Sequence, residues 1–171
     1  LSPYFVAVGR RLLDLAPLTE RRDGNEGTWV CRVTHDKRIA YHWADAAHTG
    51  LVDHSVDVVN LQFVAHELPI LATLDILREA RRILKPGSGQ LWFCEMDFQA
   101  PAYAAQRSNP LLFGLIRSTE PFLDVYADGQ EKIWQNFSET FAKTLIVAAT
   151  GRHFAVVATT RDRTTGSPSG T

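Results

Sequence analysis

Residues Ser55 to Asp97 read SVDVVNLQFVAHELPILATLDILREARRILKPGSGQLWFCEMD, and this stretch decides the fold. Val56 to Phe63 is nearly continuously apolar, the pattern of a strand covered on both faces. A short polar loop, His66-Glu67, follows it. From Pro69 onward, Ile70, Leu74, Leu77, Ala80 and Leu84 recur on one helical face, while Arg78, Arg81, Arg82 and Lys85 crowd the last turns, where the helix dipole favours cations. Pro86-Gly87 supplies a turn in which glycine can take positive φ, and Leu91 to Cys94 forms a second apolar strand ending at Glu95-Met96-Asp97. A strand, a crossover helix and a parallel strand point both carboxyl ends at one sheet edge, which is where open α/β sheets bind ligands.

Upstream, Ser2 can cap a helix over Pro3 to Ala16, with Phe5, Val8, Leu12 and Leu15 at helical spacing. Residues 20–37 are charged and glycine-bearing, with Trp29 to Val33 as a short edge strand. Ile39 to Ala44 is rich in β-branched and aromatic residues and ends at Asp45. It reads as a strand whose end carries the acid, beside Val56–Phe63 in one parallel sheet. Downstream, residues 99–127 hold three prolines and the apolar patch Leu111 to Ile116, a lid or acceptor segment beside the ligand edge. Gly129 to Lys143 suits a helix or a pair of short ones. Leu145–Ala148 and Phe154–Thr159 read as an antiparallel hairpin around Thr150-Gly151, and residues 161–171 as a disordered tail.

The 171 residues fit one domain, residues 1–160 with that tail, and an apolar fraction of 45% is ordinary for a globular chain. Lys plus Arg (18) nearly balance Asp plus Glu (19), so no basic field points to nucleic acid and the expected partner is a small molecule. Cys31 and Cys94 form no Cys-x-x-Cys pair, which argues against a disulfide scaffold or a zinc site and for a reducing compartment. No run approaches a membrane span of about 20 residues. The expectation is an intracellular soluble protein. Nothing in the sequence specifies its oligomeric state.

Three strand ends are expected on one edge: Asp45 with Ala46, Gln62 through Glu67, and Glu95 through Asp97. His66-Glu67 does not make a zinc-protease motif, because position 70 is Ile and Pro69 intervenes, and no metal is expected. Gly87-Ser88-Gly89 follows a helix and precedes a strand, the reverse of a dinucleotide fingerprint, so it reads as a turn. No phosphate loop of the Gly-x-x-x-x-Gly-Lys type is present.

Leu1-Ser2-Pro3-Tyr4-Phe5, Asp45-Ala46, the run Asp57 to Pro69 and the run Leu77 to Gly87 ending in Lys85-Pro86-Gly87 together resemble a class I S-adenosylmethionine-dependent methyltransferase of the type 11 group. Asp97 and Ser118-Thr119-Glu120-Pro121 resemble one branch with plant and algal members, which allows a plastid as well as a cytoplasmic location. The resemblance spans most of Leu1 to Asp128, with residues 20–37 as an insertion. It implies an α/β fold: a Rossmann-like methyltransferase sheet, mostly parallel with a C-terminal antiparallel hairpin, lacking the first two strands. The family's first strand, glycine-rich loop and ribose-binding acid would lie before Leu1, so the chain reads as an N-terminally truncated domain with an incomplete cofactor site.

The resemblance further implies S-adenosyl-L-methionine as cofactor. Asp45 and Ala46 would sit beside the adenine, Leu1 on its face, and Gln62 and Phe63 around the methionine moiety. His66 and Glu67 would face the acceptor pocket. His66 is the candidate catalytic base, since imidazole titrates near neutrality, against a purely structural histidine bonded to the loop backbone. Glu67 either serves the acceptor or caps the helix starting near Pro69. Asp97 and Glu95 are alternatives for contacting acceptor or cofactor, because successive strand residues face opposite ways. The competing classes are a non-catalytic, degenerate methyltransferase-like domain acting as a binding or partner module, and a nicotinamide-dependent dehydrogenase.

Overall fold

A computed structural model describes residues 4, 7, 8, 20–22, 29–32 and 40–162. The chain divides into two units, Leu1–Leu51 and Val52–Thr171. In the first, Tyr4, Ala7 and Val8 are helical; the rest of the helix expected over residues 3–16 lies outside the described residues, as do positions 163–171 of the expected tail. Three strands follow, β1 (Glu20–Arg22), β2 (Trp29–Arg32) and β3 (Ala40–Trp43), in the order β1-β2-β3 with both pairings antiparallel.

Two sequence expectations change here. The strand at Trp29 exists but is the middle strand, not an edge. The strand before Asp45 is not a parallel neighbour of Val56–Phe63. It pairs antiparallel with β2, Trp43 opposite Trp29 and Ala40 opposite Arg32. Short connections between sequential strands close small loops at low entropic cost, and strand composition says nothing about which partner is taken.

The second unit runs β4 (Val58–Gln62), a single 3-10 turn (Ala65–Glu67), α1 (Ile70–Ile83), β5 (Gln90–Met96), α2 (Pro101–Arg107), α3 (Pro110–Thr119), α4 (Leu123–Thr140), β6 (Phe141–Ala148) and β7 (His153–Thr160). Its sheet has the order β4-β5-β7-β6. β4 and β5 are parallel, Val58 opposite Gln90 and Gln62 opposite Cys94, with α1 as the crossover. β5–β7 and β7–β6 are antiparallel, the hairpin read from the sequence. The sheet is therefore mixed, and residues 99–127 contain α2, α3 and the start of α4.

The core lies on one face of this sheet. β5 turns Leu91, Phe93 and Glu95 inward, and β7 turns Phe154, Val156, Ala158 and Thr160 inward. Against them pack Leu77, Ala80 and Leu84 from α1 and its end, and Tyr126, Ile133 and Phe137 from α4. The Phe93 ring meets Phe137 edge-on at 5.4 Å and stacks on Phe154 at 6.0 Å. With α1 and α4 on that one face, the strands are not covered twice as their apolar runs led one to expect: Val58, Asn60 and Gln62 are exposed, and Trp92 is 44% exposed.

The turn between α1 and β5 sits at the amino ends of the parallel strands, away from the ligand edge. Gly87 takes φ +72 and its N–H donates to the Arg161 carbonyl at 3.1 Å. Gly89 is packed on backbone: a Cβ there would lie 2.6 Å from the Lys85 carbonyl oxygen and 2.7 Å from the Lys85 nitrogen. The same Lys85 carbonyl accepts from Gly89 N–H at 2.9 Å and from the Thr160 hydroxyl at 2.6 Å, so it cannot move away without losing both. Gly89→Ala is expected to destabilise the fold by about 2 kcal/mol, read as a lower midpoint in urea at unchanged slope; an unchanged midpoint contradicts this packing.

Candidate active site

The parallel β4–β5 pair delivers the segment Gln62 to Glu67 and the end of β5 to one edge. The ladder continues one bond past β4, with Phe63 N–H donating to the Cys94 carbonyl at 2.9 Å. Phe63 itself takes φ +52, left-handed backbone that a bulky side chain rarely adopts, and its ring is exposed, with an edge contact to His153 at 5.2 Å. This sharp bend lets the chain fold back over the end of β5.

Glu95 is fully buried there and has three partners. Its Oε1 accepts from Ala65 N–H at 2.8 Å, and its Oε2 accepts from Met96 N–H at 3.0 Å and pairs with His66 Nδ1 at 2.8 Å. His66 is only 4% exposed. A carboxylate on Nδ1 assigns the proton to that nitrogen in the neutral ring and leaves the Nε2 lone pair on the other side. Nε2 faces Glu120 Oε2 at 3.8 Å and Glu67 Oε1 at 4.0 Å, and makes no hydrogen bond among the described residues. Behind the imidazole, Tyr126 lies edge-on at 6.5 Å, and Gln130 Nε2 donates to the Met96 carbonyl at 3.2 Å and to the Tyr126 hydroxyl oxygen at 3.3 Å.

Burial is the largest single influence on His66 and disfavours its charged form, but the hydrogen bond that Nδ1–H donates to Glu95, the Glu95 charge and those of Glu120 and Glu67 together outweigh it. The His66 pKa is raised above its usual value of 6.5. Burial first, and then the Glu95 charge, push the Tyr126 hydroxyl far above the ordinary phenol range. Burial also raises the Cys94 thiol.

The structure brings together Gln62, Phe63, His66, Glu67 and Glu95 within the second unit. Asp45 and Ala46 belong to the first unit, in the turn after β3. There the exposed Asp45 carboxylate accepts from Ala47 N–H at 2.9 Å and approaches His48 Nδ1 at 3.4 Å; the first of these contacts, then the second, hold its pKa below the usual carboxylate value. Leu1 lies outside the described residues. Between Glu95 and Asp97, Glu95 reaches the site. Asp97, half-buried, accepts from Gln99 N–H at 2.9 Å and shapes the turn into α2. Glu67 does not cap α1: Pro69 holds the cap position, no side chain bonds to it, and the Glu67 carboxylate turns toward His66 instead. Glu120 was assigned no role from sequence. It follows α3 at the break imposed by Pro121, and only the return of α3 and α4 brings it to His66.

Glu95→Ala is expected to cost about 3–5 kcal/mol, because it strands Ala65 N–H and a buried imidazole, and Glu95→Gln to cost less. A folded pKa raised above the unfolded value makes the His66 contribution fully present below pH of about 6.5 and lost as pH rises through the higher folded value. The stability gap between the wild type and His66→Gln is therefore expected to narrow as pH rises above about 6.5 in denaturant titrations; a gap that widens contradicts the sign. At Phe63, glycine is expected to be more stable than alanine by about 1 kcal/mol, the reverse of their usual order, because only glycine takes φ +52 freely.

Residues 19–93 match the family model of a methyltransferase domain, type 11, which takes in β4, His66, Glu67, α1 and most of β5. No curated protein matches. Among solved structures, PH0226 protein from Pyrococcus horikoshii OT3 is 18% identical with a TM-score of 0.50, over 69% of this chain and 60% of that one. A SAM-dependent methyltransferase from Methanosarcina mazei is 14% identical with a TM-score of 0.42, over 68% and 65%. A possible exported protein from Bordetella parapertussis gives 14% and 0.42, over 67% and 42%. The chain thus spans about 60% of the length of the first of these structures, whose fold it shares. Over residues 19–93 the chain thus resembles a methyltransferase domain.

Proposed function

We propose that the protein transfers the methyl group of S-adenosyl-L-methionine to a small-molecule acceptor, with His66 as the base. The observation that carries this reading is the buried His66–Glu95 pair at the carboxyl edge of the parallel strands, with Nε2 directed away from Glu95. The residues present fit the cofactor's chemistry. Gln62 and Phe63 are exposed at the end of β4, with the Phe63 backbone bent into a strained conformation of the kind found at ligand sites, and the Asp45 carboxylate is exposed. Gln62 and Phe63 would hold the methionine moiety. When bound, the cofactor supplies a methyl group already activated on a sulfonium.

The protein's tasks are then to orient the acceptor, exclude water and remove a proton. His66 takes that proton on Nε2, while Glu95 fixes the ring and stabilises the imidazolium that forms. Glu95 is thus a positioning residue. Glu67 borders the acceptor, and residues 99–127 close over it. The exposed apolar side chains Leu111 and Leu115 on α3 supply a surface for that closure. In the membrane context, no helix among the described residues is long and apolar enough to cross a bilayer.

The test is ligand choice. S-adenosylhomocysteine at about 100 times its Kd is expected to stabilise the full-length protein by about 2.7 kcal/mol in thermal unfolding, with no shift from NAD. A shift from NAD alone favours the dehydrogenase reading, and a folded protein that responds to neither favours the non-catalytic module. Assayed with a chelator present, His66→Gln is expected to lower kcat/KM by about 10²- to 10⁴-fold while leaving S-adenosylhomocysteine affinity within a few-fold; unchanged turnover removes His66 as the base.

A further inference from the structure

We propose that His66, Glu67 and Glu120 form a binding site for one divalent transition-metal ion, with Glu95 as the carboxylate that orients the histidine ligand. One donor atom from each of the three lies within 4.8 Å of the other two. His66 Nε2 stands 3.8 Å from Glu120 Oε2 and 4.0 Å from Glu67 Oε1. Ligands about 2.0–2.2 Å from a tetrahedral ion lie about 3.4 Å apart, so contractions of about 0.4 and 0.6 Å bring the carboxylates to ligating distance from Nε2, and one of at most about 1.4 Å brings the two carboxylates to each other. The two carboxylates ride on side chains able to move that far, Glu67 62% exposed and Glu120 25% exposed.

The arrangement differs from a chance acidic cluster in the histidine. Its side chain is 5% exposed and aimed into the cluster, its Nε2 has no hydrogen bond among the described residues, and its Nδ1 is held at 2.8 Å by a fully buried carboxylate. Metal-binding histidines are held in this way, with the second ring nitrogen bonded to a carboxylate that sets the tautomer and raises the basicity of the ligating atom. One imidazole and two carboxylates suit Zn²⁺ or Mn²⁺ better than Mg²⁺, which prefers oxygen alone. The zinc-protease motif failed at Ile70 because it demands a second ligand one helical turn on; here the remaining ligand comes instead from the end of α3. Three protein ligands leave at least one position of the ion free for an oxygen donor from water or a small molecule. An ion on Nε2 takes the lone pair that His66 needs as a base, so the two uses exclude one another. The site itself does not depend on methyl transfer.

The experiment is calorimetric titration of the chelator-stripped full chain with ZnCl₂, MnCl₂ and MgCl₂, paired with thermal unfolding. One equivalent of Zn²⁺ or Mn²⁺ is expected to bind and raise Tm, with Mg²⁺ at least tenfold weaker. Glu67→Gln and Glu120→Gln, both on the surface side of the cluster, are expected to weaken binding by tenfold or more each, and Glu95→Gln by about 10- to 100-fold through ligand orientation alone. Absence of Zn²⁺ and Mn²⁺ binding up to millimolar concentration overturns the proposal. So does binding that persists unchanged in the folded Glu67→Gln, Glu120→Gln double variant, which would trace it to other histidines. Manganese hyperfine broadening of the His66 imidazole signals in NMR, absent in the double variant, provides a readout independent of folding.

Discussion

The buried carboxylate of Glu95 ties the fold to the site. Placing an ion at a fully buried position carries a desolvation penalty of several kcal/mol, and it persists only where donors satisfy its oxygens. Ala65 N–H, Met96 N–H and His66 Nδ1 do so. Two of these partners come from the turn after β4 and one from β5 itself, so the same contact that satisfies the charge clamps the end of one parallel strand to the exit of its neighbour. That clamp fixes the 3-10 turn, and the turn fixes where Pro69 starts α1. The crossover and the placement of His66 follow from one interaction.

Much of this was legible in the chain because the signals are local. Apolar runs bounded by polar loops, the helical face from Ile70 to Leu84 and the Lys85-Pro86-Gly87 stop each act within a few residues, and β4, α1, β5 and the β6–β7 hairpin emerged as read. Pairing is not local. Ile39 to Ala44 has the composition of a strand, yet nothing in it distinguishes β2 from β4 as a partner, and the antiparallel neighbour across a short connection was taken. Coverage is not local either: Val58 and Trp92 look like core residues until the positions of α1 and α4 show which face they protect.

The site divides along the same line. His66 stood out because it lies between a strand end and a helix start, where an α/β sheet presents its chemistry. Choosing between Glu95 and Asp97 required the strand's inward face, which Leu91 and Phe93 define and Glu95 shares. Glu120 carries no signal of its own. It is contributed by a helix pair that packs against the sheet from a distant stretch of chain, and the only local trace is the Pro121 break that stops α3 beside the histidine.

Three carboxylates, Glu67, Glu95 and Glu120, surround one imidazole with contacts of 2.8 to 4.0 Å. Even with the ring protonated, such a cluster is negative overall. Charges this close in a partly desolvated setting interact more strongly than in water, and salt screens them less. A field of that sign rewards any cation delivered to Nε2 or its surroundings, be it a proton, a divalent ion or a positively charged ligand nearby. It also penalises an anionic acceptor approaching without a compensating charge. The constraint that builds the fold thus sets the electrostatics of this edge, which favour neutral or cationic molecules over oxygen anions.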